Sequence, residues 1–502
     1  MKTLGATQRD STIATPEPRH FRTFGRNLVL KNIGEMSRLF QMAFFVIAAR
    51  RFGPAALGSL TVLLMVGSAV SLFTGDFGIN TNLIARMSSC GDTERRSLVS
   101  QALYWKLILS LLAFGFMYFG MFLTRTFPTR TEILVIAVIS VGGLWLEFFA
   151  ALMNGLNRFD TEVWLRIVYR GVVFGGASLI ALVCSLSADL IYMAIATAVI
   201  VPVVFFLISK RLIPLKLPTG STRNSVLLRQ SFPIWVTQLA QMTYLKFDLV
   251  ILGLLHVQAQ ETGWYAAAWK IVDVLTTVPA LMAMAALPII SGESAKSSIE
   301  AIVPRYLKAL YVIPFVFALP LSIGSDWICR VLYGVGFTGT PYILRILAWA
   351  LVPFFIHAFL AVLSVAVHRQ SEAAKLAVLT SVLGMVAAVV LVPIFGYQAM
   401  AVVCLVANTF FALAMIYKFR QYTGSTQYVV AVKSTVSALA VYAACSYFSG
   451  YAHPLLLIVT GMAAYFLALL LSGVISVGNI KYAWQFAGGL VWNRTAVESS
   501  PL

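Results

Sequence analysis

Apolar residues run through this chain in about fourteen stretches of roughly 20 residues, parted by short polar segments. Each stretch is continuously apolar, as from Leu107 to Leu123, and does not alternate. Such runs predict membrane-crossing α-helices and exclude a transmembrane barrel, whose strands alternate over about 10 residues. Spans are expected at about 28–49, 56–76, 101–123, 132–153, 163–183, 188–209, 232–255, 264–287, 303–323, 343–366, 374–392, 397–417, 429–449 and 454–475. No segment between them is long enough for a soluble domain. Any chemistry must therefore take place inside the bilayer or at its surface.

Composition agrees. Of 502 residues, 60% are hydrophobic and 11% charged, with a mean hydropathy of +0.86; soluble domains carry about 25% charged residues. The net charge of +18 is explained by cytoplasmic loops rather than by nucleic acid, and no nucleic-acid partner is expected. With the N-terminus inside, about 25 Lys and Arg fall in cytoplasmic segments, Lys106 counted among them, and about 5 outside. This alternation predicts an even span count and both termini in the cytoplasm. The five cysteines (Cys90, Cys184, Cys329, Cys404, Cys445) have no metal or redox spacing and read as small apolar fillers. No metal site is expected.

A weak internal repeat organises the spans. Gly53-Pro-Ala-Ala-Leu-Gly58 enters the second span and Gln258-Ala-Gln-Glu-Thr-Gly263 enters the eighth. Leu156-Asn-Arg158 and Glu162 likewise match His368-Arg369 and Glu372 at a similar offset of roughly 200 residues. The expected units are a cytoplasmic disordered leader 1–27, a six-helix lobe 28–209, a basic linker 210–231, a second six-helix lobe 232–418, two extra helices within 419–476 and a cytoplasmic tail 477–502. No signal peptide is read in the leader.

Polar side chains inside spans are costly and point to function. Lys31, Glu35 and Arg38 share one helical face; Lys31 and Glu35 read as an interfacial pair and Arg38 as a lumen residue. Asp76, between Gly75 and Gly78, reads either as a cap or as a cation or proton site. Glu147 lies in the fourth span. Arg166 and Arg170, one turn apart in the fifth, need an anion between them, from Glu147, Glu162 or a phosphate, or else contact lipid headgroups. Asp248 is the isolated acid of the seventh span, preceded by Tyr244. Lys270 and Asp273 can pair in the eighth, after Trp269. Arg345, Trp349 and His357 lie in the tenth; His357 reads as a packing residue before a proton relay. No GxxxxGK[ST] segment is present, so the chain does not hydrolyse nucleotide itself, and an ion gradient is the expected drive. No GxSxG or HExxH element stands out, and no enzymatic activity or cofactor is expected.

Several local segments together resemble a known family: Arg51-Phe-Gly53-Pro-Ala-Ala-Leu-Gly58, Gly75-Asp76-Phe-Gly78-Ile with Arg86, Phe247-Asp248-Leu followed by Gly263-Trp-Tyr-Ala-Ala-Ala, and Val331-Leu-Tyr-Gly334. With the span count, these are similar to polysaccharide (O-antigen type) flippases of the multidrug/oligosaccharidyl-lipid/polysaccharide exporter superfamily, over about residues 25–475. The resemblance implies an all-α, MATE-like bundle of two pseudo-symmetric lobes plus two C-terminal helices in the bacterial inner membrane. It implies translocation of an undecaprenyl-diphosphate-linked oligosaccharide to the outer leaflet for surface polysaccharide, coupled to H⁺ or Na⁺. The partners would be that lipid-linked substrate, membrane lipids, and a polysaccharide polymerase with its chain-length regulator; the oligomeric state is left open, a monomer being compatible with this reading. In that reading Arg38, Arg166, Arg170, Lys270 and Arg345 are diphosphate-binding candidates. Asp76, Asp248, Asp273 and Glu147 are ion-coupling candidates, and Trp164, Tyr244, Trp269 and Trp349 would stack on sugars. The alternatives are a MATE-type multidrug extruder, which favours an acidic lumen, and a peptidoglycan-precursor lipid flippase, which shares the span count and a cationic cavity.

Overall fold

The computed structural model describes residues 34, 36–87, 91–124, 130–156, 158–183, 195, 226–279, 282, 303–304, 306–367, 369–423 and 426–475. Among the described residues every regular element is helical and no strand occurs. Ten helices there are long and apolar enough to cross a membrane. The expected all-α polytopic membrane fold is thus observed. The leader 1–27, the tail 477–502, nearly all of the expected span 188–209 and most of the linker lie outside the described residues.

The first two expected spans form one bent helix, α1 (Arg38–Val70). Gly53 breaks its path with φ 79° and ψ −179°, and Pro54 follows without an N–H to offer. The second arm ends in a π-helical turn, Ser71–Asp76, after which Phe77 (φ 47°) and Gly78 (φ 73°) redirect the chain. The remaining N-terminal helices are α2 (Ile79–Met87), α3 (Asp92–Thr124), α4 (Arg130–Gly155), α5 (Phe159–Arg170) and α6 (Gly176–Val183). A second π-helical turn, Gly171–Gly175, joins α5 to α6.

The C-terminal part opens with α7 (Val226–Leu254), which begins within the segment expected to be linker, and α8 (Ala259–Leu275). It continues with α9 (Ile313–Ile323), the short amphipathic α10 (Ser325–Tyr333), α11 (Thr340–Ala366), α12 (Gln370–Phe395) and α13 (Gln398–Lys418). The last helices, α14 (Thr426–Tyr447) and α15 (Pro454–Leu471), pack on each other and on α9. Their own apolar cluster holds Phe315, Leu319, Val441 and Tyr465.

Lipid chains are as apolar as leucine, so helices associate here by close packing of small residues. The clearest case joins the matched glycines of the repeat. A Cβ on Gly58 would collide with the Ala259 carbonyl and stand 2.7 Å from the Gly263 nitrogen; a Cβ on Gly263 would collide with the Pro54 carbonyl. The second arm of α1 therefore touches α8 backbone to backbone near Gly53. At the same end the Arg50 guanidinium donates to the Val331 and Leu332 carbonyls, and Trp264 Nε1 donates to Gly336 O at 3.0 Å.

The opposite end, near Gly78, is also pinned. Asn82 Nδ2 donates to Ser231 Oγ at 2.9 Å and Arg86 donates to Gln230 Oε1 at 2.8 Å. Phe77 stacks on Trp235 with centroids 4.8 Å apart. About 22 residues of helix separate Gly53 from Asp76, roughly 33 Å of rise. Contacts from α1 and α2 to α7, α8 and α10 thus bracket the space between.

Candidate functional site

That space is a cavity of about 600 Å³ lined by α1, α2, α4, α5 and α8. Helical spacing fills it. On the first arm of α1, Arg38, Gln41 and Phe45 project along one face, and on the second arm Thr61, Met65 and Ser68 do the same. The π-helical turn adds a residue to the register and delivers Asp76 to the same cavity, a common use of such turns. Glu147, Ala151 and Asn154 come from α4, Arg166 and Arg170 from α5, and Trp269, Lys270 and Asp273 from α8. Lining cations outnumber lining acids by four to three.

The charges differ in how they are held. Arg166 is saturated by carboxylates: it grips both oxygens of Glu147 at 2.9 and 3.0 Å, and Nε donates to Glu162 at 2.6 Å. This bidentate geometry makes it a strut between α4 and α5. Arg170, one turn on, donates to the Ser37 hydroxyl at 2.9 Å and to the Gly34 carbonyl at 3.4 Å. The Lys270 ammonium sits 4.3 Å from the centroid of the Phe45 ring, a cation–π contact across the two parts of the chain. Asp76 accepts from Lys106 Nζ at 3.2 Å.

Lys106 corrects the sequence reading. Counted there among cytoplasmic charges, it is fully buried in α3 behind the cavity wall. The apolar run starts at Leu98, which puts Lys106 about two turns inside the helix. That depth was the available signal. Ser71 Oγ and the Oδ1 atoms of Asn80 and Asn154, also on the cavity, have no hydrogen-bond partner among the described residues. They are acceptors of the kind that hydroxyl-rich ligands satisfy.

A second, smaller pocket of about 60 Å³, mostly apolar in its lining, lies within the C-terminal part. Asp248 lines it, with Thr380, Ser381 and Asn408. Asp248 Oδ1 accepts from the Leu249 backbone at 2.8 Å, and Oδ2 accepts from the Tyr265 hydroxyl at 2.7 Å. Asn408 Oδ1 lies 3.0 Å from His357 Nε2, so His357 is held in a hydrogen bond within the core. Trp269 lines both this pocket and the central cavity.

The other expected site residues lie elsewhere. Arg345 donates to Ser325 Oγ at 2.8 Å and pairs with Asp326 on α10, away from the cavity. Trp164 is 65% exposed, because a residue two before Arg166 points to the opposite side of α5. Trp349 packs between Phe315 and Tyr442, where α14 meets α9. Asp273 lines the cavity beside Lys270. The Tyr244 side chain lies outside the described residues.

Residues 28–294 match the family model described as polysaccharide biosynthesis protein, just over half of the chain. The chain belongs to that family. A relative in Haloferax volcanii, the probable low-salt glycan biosynthesis flippase Agl15, is 23% identical over 364 residues, covering 70% of this chain and 74% of the relative. Among solved structures, the lipid II flippase MurJ in an inward closed conformation aligns with a TM-score of 0.71 and 15% identity, over 88% of this chain and 98% of that one. An inward-facing multidrug resistance MATE family transporter of the MOP superfamily aligns at 0.61 and 13%, over 79% and 98%. At such identities these two structures establish a shared fold, that of multi-pass membrane transporters.

Proposed function

We propose that this protein is a flippase that carries an undecaprenyl-diphosphate-linked oligosaccharide from the inner to the outer leaflet of the bacterial inner membrane, for surface polysaccharide synthesis. The observation that carries this reading is the cationic cavity between the α1–α6 region and α8. Arg38 and Arg170 approach from one side and Lys270 from the other, in a membrane interior where such charges are expensive. A diphosphate offers the charge and the acceptor oxygens that this set prefers. The Ser71, Asn80 and Asn154 acceptors suit sugar hydroxyls on the same ligand. Family membership and the glycan flippase relative support the same class of substrate. A multidrug extruder of cations fits this charge balance poorly.

Contacts flank the cavity at both the Gly53 and the Gly78 ends, and alternating access would open one set while the other holds. The energy source in this reading is an H⁺ or Na⁺ gradient, with Asp248 as the leading carrier. Among the described residues, Asp248 is the one carboxylate on a largely apolar pocket whose other polar side chains are Thr380, Ser381 and Asn408, and the Tyr265 phenol bonds it directly. Reconstitution into proteoliposomes with a fluorescent polyprenyl-diphosphate-linked glycan tests the whole reading. Transfer of the glycan between leaflets, accelerated by an imposed ion gradient, is the expected result. Transfer of organic cations without transfer of the glycan would overturn it.

A further inference from the structure

One helix, α8, touches the Gly58 seam, the Asp248 pocket and the central cavity in sequence order. Gly263 lies in the backbone seam with α1. Tyr265 donates to Asp248. Trp269 lines both the Asp248 pocket and the central cavity. Lys270 and Asp273 face the central cavity. Tyr265 and Trp269 are one turn apart on the same face, and only about 8 Å of helical rise separates Tyr265 from Lys270. Thr262, Gly263 and the run Tyr265–Val272 are all buried, and the Ala267 carbonyl is held by the Tyr333 hydroxyl at 2.9 Å. A buried, internally hydrogen-bonded helix moves as a unit, because close-packed interiors switch between discrete arrangements.

Both Asp248 oxygens already accept hydrogen bonds, one of them from Tyr265. A proton or cation on Oδ2 withdraws negative charge from it and weakens it as the acceptor of the Tyr265 hydroxyl. We propose that Tyr265 is the positioning residue through which occupancy of Asp248 sets the placement of Trp269 and Lys270, so that α8 couples the ion pocket to the anion cavity. This inference rests on the reading of Asp248 as the ion carrier. The other groups on the Asp248 pocket are Cys404 and Asn408 of α13, with Asn408 bonded to His357 of α11, and Asp273 is the neighbouring acid on α8.

Linkage provides the test, since two coupled sites change each other's affinity by one common factor. The affinity of the full-length protein for inorganic pyrophosphate is measured by calorimetry with and without sodium, and at pH about 6 and about 8. In the wild type one of these comparisons is expected to differ by about tenfold. Tyr265→Phe, which keeps the ring and removes only the hydroxyl, is expected to bring that ratio to about one, as Asp248→Asn does, with no further change in the double variant. A ratio that survives Tyr265→Phe in full overturns the α8 path while leaving Asp248 as carrier. No dependence on sodium or pH in the wild type overturns the carrier reading and the path with it. Where Tyr265→Phe does not yield folded protein, Trp269→Leu keeps the helix and removes the ring shared by the two pockets; a reduced ratio supports the path and an unchanged one overturns it.

Discussion

Lys106 and Asp76 form an ion pair at 3.2 Å in the wall of the cavity, with the lysine side chain fully buried. The pair ties α3 to the π-helical end of α1, the segment that leads into the Phe77–Gly78 turn. Removing one partner leaves the other charge buried without compensation, which costs about 3–5 kcal/mol. Lys106→Met is therefore expected to lower the thermal midpoint sharply, and Lys106→Met with Asp76→Leu to recover most of the loss. Thermal unfolding of the purified variants in detergent checks both. Equal midpoints for the wild type and Lys106→Met would remove the pair from the structural account.

The two arginines of α5 have different expected phenotypes. Arg166 is consumed by Glu147 and Glu162, so Arg166→Ala should reduce the yield and stability of folded protein. Arg38→Ala and Arg170→Ala should leave the folded yield intact and slow glycan transfer by roughly 10–100-fold, the worth of about 1.5–3 kcal/mol for a hydrogen bond to a charged group. Folded yield and transfer rate, read on the same preparations, separate the two cases. Normal transfer in both Arg38→Ala and Arg170→Ala would discredit the anion cavity.

The Gly58–Gly263 seam has no room for a side chain. Gly263→Val should therefore hold the Gly53 end apart. In a background with the five native cysteines replaced, Thr61→Cys on the cavity wall should label faster with a membrane-impermeant maleimide once Gly263→Val is added. Unchanged labelling would mean that this seam does not govern access from that end.

At the other end, Asn82 and Ser231 touch through their side chains. Cysteines at both positions should oxidise to a disulfide that joins α2 to α7. Transfer should stop on oxidation and return on reduction. Transfer that continues across a fully formed disulfide would show that the Gly78 end need not open.

The sequence already located much of this cavity, for a simple reason. Arg38, Arg166, Arg170 and Lys270 interrupt long apolar runs, and helical periodicity fixes which of them share a face. The same periodicity, applied more strictly, would have turned Trp164 outward, since it stands two residues from Arg166. Lys106 escaped because charge counting assigned it to a loop, whereas burial depends on how far the apolar run extends on both sides. Arg345 and Trp349 depended on tertiary partners, Asp326 on α10 and Tyr442 on α14, that no local pattern reveals. The π-helical turn that brings Asp76 to the cavity is a change of register, and composition does not record it.

The helices α14 and α15 have a small core of their own with α9, and no residue of theirs lines the cavity. The chemistry of the cavity and the attachment of this hairpin are therefore separable. Changes within this hairpin leave the charges that face the cavity in place. Its outward apolar side, with Leu456, Val459 and Leu467 exposed, is suited to meet lipid, so the hairpin can answer to the membrane around it independently of the cavity.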